Sequence, residues 1–253
     1  MSRVRSFFDE NGYYLARGVF PPVEIAVLES EFDRIVQQLR ERDESNAWLN
    51  ADIIETRNVQ QYSGPWMAAL LQKDFLDLVE ELMGPNIVLN HTMLFEKLPT
   101  GKPCPFASHQ DWSYLPTEMD TMIAAMIHLS PATERNGCLK VFPGSNKRGR
   151  MDGSTHVNSG FHAQFPLRDA KPIEAEPGDV TFFHYLTVHG SLANNAGDSR
   201  KVVLARMFSG KDRKEDPGQY IENLVLRGWN DHTTCANAMK ASIGHPRVSS
   251  RGS

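Results

Sequence analysis

Hydrophobic positions in the first third of the chain recur at helical spacing. After Pro21-Pro22, apolar side chains are separated by charged ones, the pattern of an amphipathic helix with one face on a core. The apolar positions are Val23, Ala26, Val27, Phe32, Ile35, Val36 and Leu39. A second such segment covers about residues 65–83 and stops at Gly84-Pro85, a strong terminator. The pattern therefore predicts a mainly helical part over residues 1–84.

Beyond residue 84, the hydrophobic positions form short apolar or alternating runs. Turn-forming sequences such as Pro143-Gly144-Ser145 and Glu176-Pro177-Gly178-Asp179 separate them. The runs cover residues 87–97, 121–129, 139–142, 180–183 and 202–208. Many short strands that follow a helical N-terminal part predict a mainly β fold. This fold would be a β-sandwich or jelly roll with the N-terminal helices packed outside it.

A chain of 253 residues with 40% hydrophobic content can bury one substantial core. We therefore predict a single domain over 1–253, with the jelly-roll core at 85–210 and a C-terminal extension at 211–253. Residues 146–170 carry several basic side chains without clear periodicity. A stretch of this length with little regular structure is often a lid over a site, although a solvated surface loop fits the composition equally well.

Charge and composition limit the classes of partner. The chain has 27 basic and 31 acidic residues, and this balance argues against a nucleic-acid binder. No window approaches the roughly 18 apolar residues of a membrane helix, and no secretory signal is present. The three cysteines lack metal-ligand spacing and fit reduced thiols. We expect a cytoplasmic protein with a small-molecule substrate; a homodimer is possible, but the sequence does not determine it.

The first candidate for chemistry is His109-Gln110-Asp111. On a strand, residues i and i+2 point to the same face, so His109 and Asp111 can offer an imidazole and a carboxylate to one ion. This pattern alone is weak, because a lone His-x-Asp is more often a surface pair than a metal site.

A second histidine, further along the chain, offers a third metal ligand. A turn at Pro177-Gly178 leads into an apolar strand, near whose exit lies His189. Two histidines and one carboxylate form the facial triad of non-haem Fe(II), which leaves open positions for a bidentate 2-oxo acid and O₂. The distal carboxylate of such a co-substrate needs a planar cation, and Arg200 follows His189 by eleven residues.

Other residues compete for these roles. His184 precedes His189 by five residues, so on a regular strand the two face opposite ways. The spacing to Arg200 favours His189, which leaves His184 a structural role. Arg206 has the same strand parity as Arg200 and is a rival, lower-ranked anchor. His91 and His128 lie inside apolar strands, where the common role is a satisfied core histidine; His91 is also a candidate for the surroundings of the metal ligands.

Over residues 84–208, the chain resembles the phytanoyl-CoA dioxygenase-like family of Fe(II)/2-oxoglutarate-dependent oxygenases. The matching segments occur in the family's order, which makes the resemblance more specific than any one of them. They are Gly84-Pro-Asn-Ile, His91-Thr-Met-Leu, His109-Gln-Asp, Asn136-Gly-Cys-Leu, Pro143-Gly-Ser, His189-Gly-Ser and Arg200.

The resemblance implies a double-stranded β-helix (a cupin-like jelly roll) with His109, Asp111 and His189 as iron ligands. It also implies that Arg200 holds the 5-carboxylate of 2-oxoglutarate with help from the Ser191 hydroxyl, and that Met93 lines the co-substrate pocket. Candidates for the substrate-pocket walls are Trp112, Tyr114 and Phe161, for each of which core packing is an equally good interpretation.

Two positions depart from the family pattern. Asn146 follows Pro-Gly-Ser where the family often has His, and Ile123 stands where the name-giving enzyme has an aromatic residue beside 2-oxoglutarate. The name-giving enzyme also has a lysine that contacts the co-substrate. The alignment is loose around that lysine, so its position here is Asn58 or the neighbouring Arg57. The first two positions do not touch the metal, so they bear on substrate shape rather than on reaction class.

The implied reaction uses Fe(II), 2-oxoglutarate and O₂ to hydroxylate an unactivated C–H bond of a small molecule. The molecule could be a natural-product intermediate, a small metabolite or an acyl derivative, since a fold does not transfer its substrate. Asp111 favours oxygenation, because halogenating relatives replace this carboxylate. Desaturation or ring formation remains an alternative. A cupin-like metalloenzyme that does not use 2-oxoglutarate and a non-enzymatic jelly-roll binding module are two further alternatives.

Overall fold

The backbone forms two antiparallel β-sheets. The computed structural model describes residues 2–42, 52–100, 106–155, 158–215 and 223–232. In chain order, the strands of this part are β1 (Tyr13–Ala16), β2 (Ile53–Arg57), β3 (Ile87–Lys97), β4 (Ile123–His128), β5 (Leu139–Val141), β6 (Lys171–Ile173), β7 (Val180–His184), β8 (His189–Gly190), β9 (Arg200–Ser209) and β10 (Leu224–Arg227).

The chain winds back and forth between the two sheets. The larger sheet has the order β1-β7-β4-β9-β3-β10, with β2 also paired to β3, and the smaller has the order β6-β5-β8. From β4 onward the chain passes to β5 and β6 in the smaller sheet, back to β7, across to β8 and back to β9. This is the winding of a double-stranded β-helix, so the predicted fold class is confirmed.

Four helices cover the outer face of the larger sheet, α1 (Arg3–Asn11), α2 (Pro22–Arg42), α3 (Gly64–Leu70) and α4 (Lys73–Met83). A short fifth helix, α5 (Ser159–Gln164), packs elsewhere. The first four contribute buried side chains to one cluster with the sheet, as predicted for helices packed outside the β core. The buried face of α2 consists of Ile25, Leu28, Phe32, Ile35 and Val36. Val23 and Val27, which we expected on that face, are exposed.

The second helical segment is two helices rather than the single one predicted over 65–83. The break falls at Leu71 and Gln72, where Gln72 has extended dihedral angles and its side chain accepts a hydrogen bond of 2.7 Å from the Phe75 N–H. A polar N-cap of this kind begins a new helix within a continuous apolar pattern. The segment ends at Gly84, as predicted, with φ of 99°.

The N-terminal part also contains two strands that the pattern did not predict. β1 pairs with β7, and β2 pairs with β3, both antiparallel. Each is short, and each has its partner far away in sequence. The segment predicted as a lid over 146–170 contains α5 and two 3₁₀ turns, Ser145–Arg148 and Leu167–Asp169. The predicted boundaries at 84 and 210 and the single-domain division stay predictions.

Strand alternation gives the larger sheet two different faces. In β9, Val203, Ala205 and Met207 pack toward the helices, whereas Val202 and Leu204 pack toward the smaller sheet. Because side chains alternate along a strand, Arg200 and Arg206 share the interior face with Val202 and Leu204. The interior between the sheets therefore receives two guanidinium groups from a single strand.

In the part of the chain that the structure describes, no helix has both the length and the apolar character needed to cross a membrane. The cytoplasmic location stays a prediction.

His128 should make the stability of the protein depend on pH. Burial, followed by the charge of Arg200, lowers its pKa to about 3, and its Nε2 lies 2.9 Å from Thr181 Oγ1. The unfolded chain binds a proton at this residue below a pH of about 6.5, whereas the folded chain does not. The stability due to neutral His128 is therefore complete above that pH and is lost as the pH falls toward 3.

Between pH 7 and pH 5, we expect the free energy of unfolding of the wild type to fall by about 2 kcal/mol more than that of His128→Gln. Urea unfolding at both pH values measures the difference. The exposed His232 provides the control, because His232→Gln should keep the wild-type pH dependence. Equal pH dependence in the wild type and His128→Gln would mean that His128 takes up its proton without unfolding.

Candidate active site

Three buried side chains that the sequence predicted as metal ligands meet at one point between the sheets. In the described residues, His109, Asp111 and His189 form a group whose ligand atoms all lie within 4.8 Å of one another. Asp111 Oδ1 is 3.6 Å from His109 Nε2 and 3.8 Å from His189 Nε2. The two imidazole centroids are 4.3 Å apart. The donor set and its spacing fit a single metal ion with open positions.

Backbone pairing, rather than a common strand face, brings these residues together. His109 forms an isolated antiparallel bridge with His189, through N–H···O distances of 2.9 and 3.0 Å in the two directions. Asp111 begins the 3₁₀ turn Asp111–Ser113, and its N–H donates to the Tyr185 carbonyl at 2.9 Å. The expectation that His109 and Asp111 lie on one regular strand is therefore wrong, although their side chains do converge.

Both imidazoles are oriented by backbone carbonyls. His109 Nδ1 lies 2.8 Å from the Ala107 carbonyl, and His189 Nδ1 lies 2.8 Å from the Thr187 carbonyl. Because a carbonyl only accepts hydrogen bonds, each Nδ1 carries a hydrogen, which leaves Nε2 as the atom of each ring that can bind a metal ion. Burial, followed by the charge of His109, lowers the pKa of His189 to about 4, so His189 is neutral at pH 7.

Gln110 anchors the segment between the two ligands, a role that sequence reasoning missed. Its side chain is fully buried. Nε2 donates to the carbonyls of Leu186 at 2.6 Å and Gly149 at 3.0 Å. Oε1 accepts from Trp112 Nε1 at 2.8 Å and from the Met151 N–H at 3.0 Å. One amide thus satisfies four polar groups and fixes the turn that carries Asp111.

Arg206 forms an ion pair with Asp111. The structure therefore gives it a different partner from the co-substrate carboxylate for which it was a lower-ranked alternative to Arg200. Its Nε lies 3.1 Å from Oδ2 and its Nη2 lies 3.2 Å from Oδ1. Burial alone would raise the pKa of Asp111, but the Arg206 guanidinium, with help from the two histidines, holds it well below its usual range. Arg206 Nη1 also lies 3.3 Å from His91 Nε2 and 3.1 Å from Met93 Sδ.

The three other histidines that the sequence analysis considered have hydrogen-bond partners. His184 Nε2 lies 2.9 Å from the Asp120 carbonyl, and its Nδ1 accepts from the Leu186 N–H at 3.2 Å. His128 bonds Thr181 inside the core. His91 contacts Asn90 through Nδ1 as well as Arg206, and burial, followed by the charge of Arg206, lowers its pKa to about 3. His91 therefore supports the surroundings of Asp111 as a neutral ring.

A cavity between the sheets extends from the two candidate ligands to Arg200. Its lining is formed by Phe95, Phe106, His109, Met126, Leu139, Phe183, His189, Gly190, Ser191, Arg200, Val202, Leu204 and Arg206. Arg200 is buried, and the walls between it and the histidines are largely apolar. The cavity therefore combines apolar walls with a buried guanidinium, and the role of Arg200 toward a dicarboxylic co-substrate stays a prediction.

The expectation for Ile123 is wrong. We predicted that it stands where the name-giving enzyme has an aromatic residue beside 2-oxoglutarate, but it packs with the helix-side cluster. The position on β4 that lines the cavity is Met126. Strand parity explains the difference, because residues 123 and 126 face opposite sides of the sheet.

The three aromatic residues predicted for the substrate pocket lie in different surroundings. The ring of Tyr114 is 6.3 Å from the ring of His109. Trp112 lies 5.2 Å below the Arg150 guanidinium and packs against a neighbouring cluster with Tyr185. Phe161 packs in a separate cluster with Phe165 and Val188. A role in substrate binding stays a prediction for all three.

Comparison with known proteins assigns the chain to a family. The family model for phytanoyl-CoA dioxygenase (PhyH) matches residues 8–202. The chain belongs to this family. The human peroxisomal phytanoyl-CoA dioxygenase is 28% identical over 233 residues, covering 81% of this chain and 67% of the human protein. A probable alpha-ketoglutarate-dependent hypophosphite dioxygenase of Stutzerimonas stutzeri is 31% identical over 139 residues, covering 51% of this chain and 48% of that protein.

Solved structures agree on the fold. The alpha-ketoglutarate-dependent carbocyclase SnoK from nogalamycin biosynthesis matches with a TM-score of 0.72 and 20% identity, covering 87% of this chain and 88% of that one. The epimerase SnoN, solved with Fe³⁺, alpha ketoglutarate and nogalamycin RO, matches with a TM-score of 0.70 and 20% identity, covering 90% and 94%. These likenesses support the double-stranded β-helix and do not identify a substrate.

Family membership confirms three of the predictions. The protein is an enzyme, it is a dioxygenase, and it depends on Fe(II) and 2-oxoglutarate. A metalloenzyme that does not use 2-oxoglutarate and a non-enzymatic binding module, which the sequence alone left open, do not agree with this family.

Replacing Gln110 tests its role as the anchor of the ligand segment. Gln110→Met keeps the side-chain length but leaves two carbonyls, one backbone N–H and the Trp112 indole N–H without this partner. We expect the free energy of unfolding to fall by about 3 kcal/mol. Urea unfolding measures the change, and Gln37→Met on the exposed face of α2 should have little effect. A loss no larger than that of the control would contradict the role of Gln110.

Proposed function

We propose that His109, Asp111 and His189 bind the iron of this dioxygenase, and that it hydroxylates an unactivated C–H bond of a small molecule. The observation that carries the proposal is the convergence of two imidazoles and one carboxylate, all buried. Nitrogen and oxygen donors in this combination suit non-haem Fe(II) and leave positions open for a co-substrate.

Arg200 is proposed to hold the 5-carboxylate of 2-oxoglutarate. It is a buried cation in the same cavity as the two histidines, and its neighbours Val202 and Leu204 are apolar. A planar guanidinium matches a carboxylate with two parallel hydrogen bonds, and the low dielectric of a dry pocket strengthens them. Ser191 lines the same cavity and supplies a hydroxyl, whereas Met93 contacts Arg206 rather than Arg200.

When bound, the iron, 2-oxoglutarate and O₂ supply the oxidising power: one oxygen atom enters succinate as CO₂ leaves, and the other enters the substrate. The chain's own residues hold and orient these groups. Arg206 keeps Asp111 ionised and fixed, and the carbonyls of Ala107 and Thr187 set the imidazole tautomers. The apolar walls of the cavity exclude water that would compete for the open positions.

The substrate is proposed to be a small metabolite, a natural-product intermediate or an acyl derivative. The relatives named above include dioxygenases of phytanoyl-CoA and of hypophosphite, two very different small molecules. SnoK and SnoN are named a carbocyclase and an epimerase, which supports ring formation or another outcome as the alternative to hydroxylation. The Asp111 carboxylate favours oxygenation over halogenation.

Binding of the cofactors tests the site directly. Anaerobic addition of Fe(II) and then 2-oxoglutarate should produce the visible charge-transfer band of an iron-bound 2-oxo acid. Single changes of His109, Asp111 or His189 to Ala should abolish the band, because each removes one of three ligands. His184→Gln is the matched control and should keep it. A band that survives the loss of His189 and disappears with His184 would overturn the ligand assignment.

Arg200→Leu should keep Fe(II) binding but raise the dissociation constant of 2-oxoglutarate by about 10- to 100-fold, since it removes a charge-assisted pair. Titration of the same band measures this constant. An unchanged constant would show that another group holds the distal carboxylate.

The reaction outcome is tested with candidate substrates under ¹⁸O₂. Substrate-dependent succinate release identifies a substrate, and mass spectrometry of its product identifies the chemistry. We expect a product with one added oxygen atom derived from O₂. A product that has lost two hydrogens and gained no oxygen would instead indicate desaturation or ring formation.

A further inference from the structure

A buried lysine adjoins the cavity, and none of the roles described so far includes it. Lys97 is the last residue of β3, and its side chain is only 2% exposed. Its ammonium donates to Ser191 Oγ at 2.6 Å, to the Leu192 carbonyl at 2.7 Å and to the Gly137 carbonyl at 3.4 Å. Burying an ammonium costs several kcal/mol, so its retention at this place calls for a function.

The strand register puts Lys97 opposite Arg200. The two residues are direct partners in the β3–β9 ladder, and both are buried. Side chains of directly opposite residues lie on the same face, where two like charges repel each other. A carboxylate bound at this end of the cavity, such as the distal carboxylate of a dicarboxylic acid, would be attracted by both.

The contact with Ser191 fixes the direction of a hydrogen bond. An ammonium has three donor hydrogens and no acceptor, so Ser191 Oγ must accept from Lys97. The hydroxyl hydrogen of Ser191 is then available to donate elsewhere, and Ser191 lines the cavity. A hydroxyl held in this way favours a ligand that only accepts hydrogen bonds, such as a carboxylate.

We propose that Lys97 is a positioning residue of the 2-oxoglutarate site. It orients Ser191 as a donor toward the distal carboxylate and thereby gives the enzyme its preference for a dicarboxylic 2-oxo acid. The proposal rests on the proposed function, in which Arg200 and the neighbouring cavity bind that carboxylate. Lys97 acts through Ser191 and does not itself contact the iron ligands.

The test compares two acids in the Fe(II)-loaded protein without oxygen. 2-Oxoglutarate has the distal carboxylate, whereas 2-oxopentanoate keeps the chelating end and has a methyl group in its place. For each acid, the charge-transfer band gives a dissociation constant. Lys97→Met should raise the constant of 2-oxoglutarate by about 10- to 100-fold and change that of 2-oxopentanoate by less than about threefold, because only the former receives the oriented hydrogen bond.

Two further variants separate the relay from a structural role. Ser191→Ala should raise the dissociation constant of 2-oxoglutarate by a similar factor. Adding Lys97→Met to it should cost less than Lys97→Met costs in the wild type, because the relay through Ser191 is already lost and only the charge attraction remains. Lys140→Met is the matched control: Lys140 is equally buried, but it pairs with Glu134 at 2.7 Å. It should leave both constants unchanged. Thermal unfolding checks that each variant is folded.

Several outcomes would overturn the proposal. If Lys97→Met raises the dissociation constants of both acids by the same factor, Lys97 has a merely structural role. Additive losses in the double variant would mean that Lys97 does not act through Ser191. If Lys97→Met binds 2-oxoglutarate with the wild-type dissociation constant, the role of Lys97 is rejected and the proposed function is not. Should the wild type give no band, the proposed function fails and the role of Lys97 with it. Should Lys97→Met fail to fold, Ser191→Ala still decides, since equal affinity changes for both acids would reject the relay.

Discussion

The site depends on the pairing of Asp111 with Arg206 in the space between the two sheets. A carboxylate buried there without a partner would take up a proton, since burial raises the pKa of an acid. The guanidinium, which contacts both carboxylate oxygens at 3.1 and 3.2 Å, reverses that effect and holds the pKa of Asp111 well below its usual range. It also fixes the carboxylate, so that Oδ1 is directed at the Nε2 atoms of both histidines. Without this pair, the same three residues would be a neutral acid and two imidazoles, which bind metal ions far less well.

Three largely buried cations of the described residues lie in or beside the same interior. Arg200 and Arg206 come from one strand, and Lys97 comes from the end of the neighbouring strand. Asp111 compensates Arg206, and the distal carboxylate of a dicarboxylic co-substrate would be attracted by Arg200 and Lys97. The chelating end of the same co-substrate would be attracted by a metal ion bound at Asp111. With a metal ion bound, the interior would therefore offer a positive partner to each end of a dianionic co-substrate.

Periodicity predicted β3, β4, β5, β7 and β9, because alternating patterns report the burial of a local segment, but it did not predict β8, which carries His189. The run at 87–97 agrees with β3, and the parity of β9 correctly indicated that Arg200 and Arg206 share a face. β1 and β2 were missed, since their pairing with β7 and β3 depends on residues far away in sequence. The sequence predicted three residues that do converge, but not the reason, which is a backbone bridge between residues 80 positions apart rather than one strand face. The roles of Gln110, Lys97 and Arg206 lie in contacts made across the fold, and local patterns contain no signal for these.

Different contacts hold the proposed iron ligands and the aromatic residues beside them. His109 and His189 are joined by two main-chain hydrogen bonds, which do not involve their side chains. The aromatic residues that follow Asp111, in contrast, lie on a short turn, where Tyr114 contacts His109 and Trp112 contacts Arg150. Because the turn begins at Asp111 and Trp112 donates to Gln110, a change of Trp112 would act on the ligand segment as well as on the space around it. Relatives are named as dioxygenases of phytanoyl-CoA and of hypophosphite, and a structure of the same fold is named a carbocyclase, so the fold does not by itself fix the substrate.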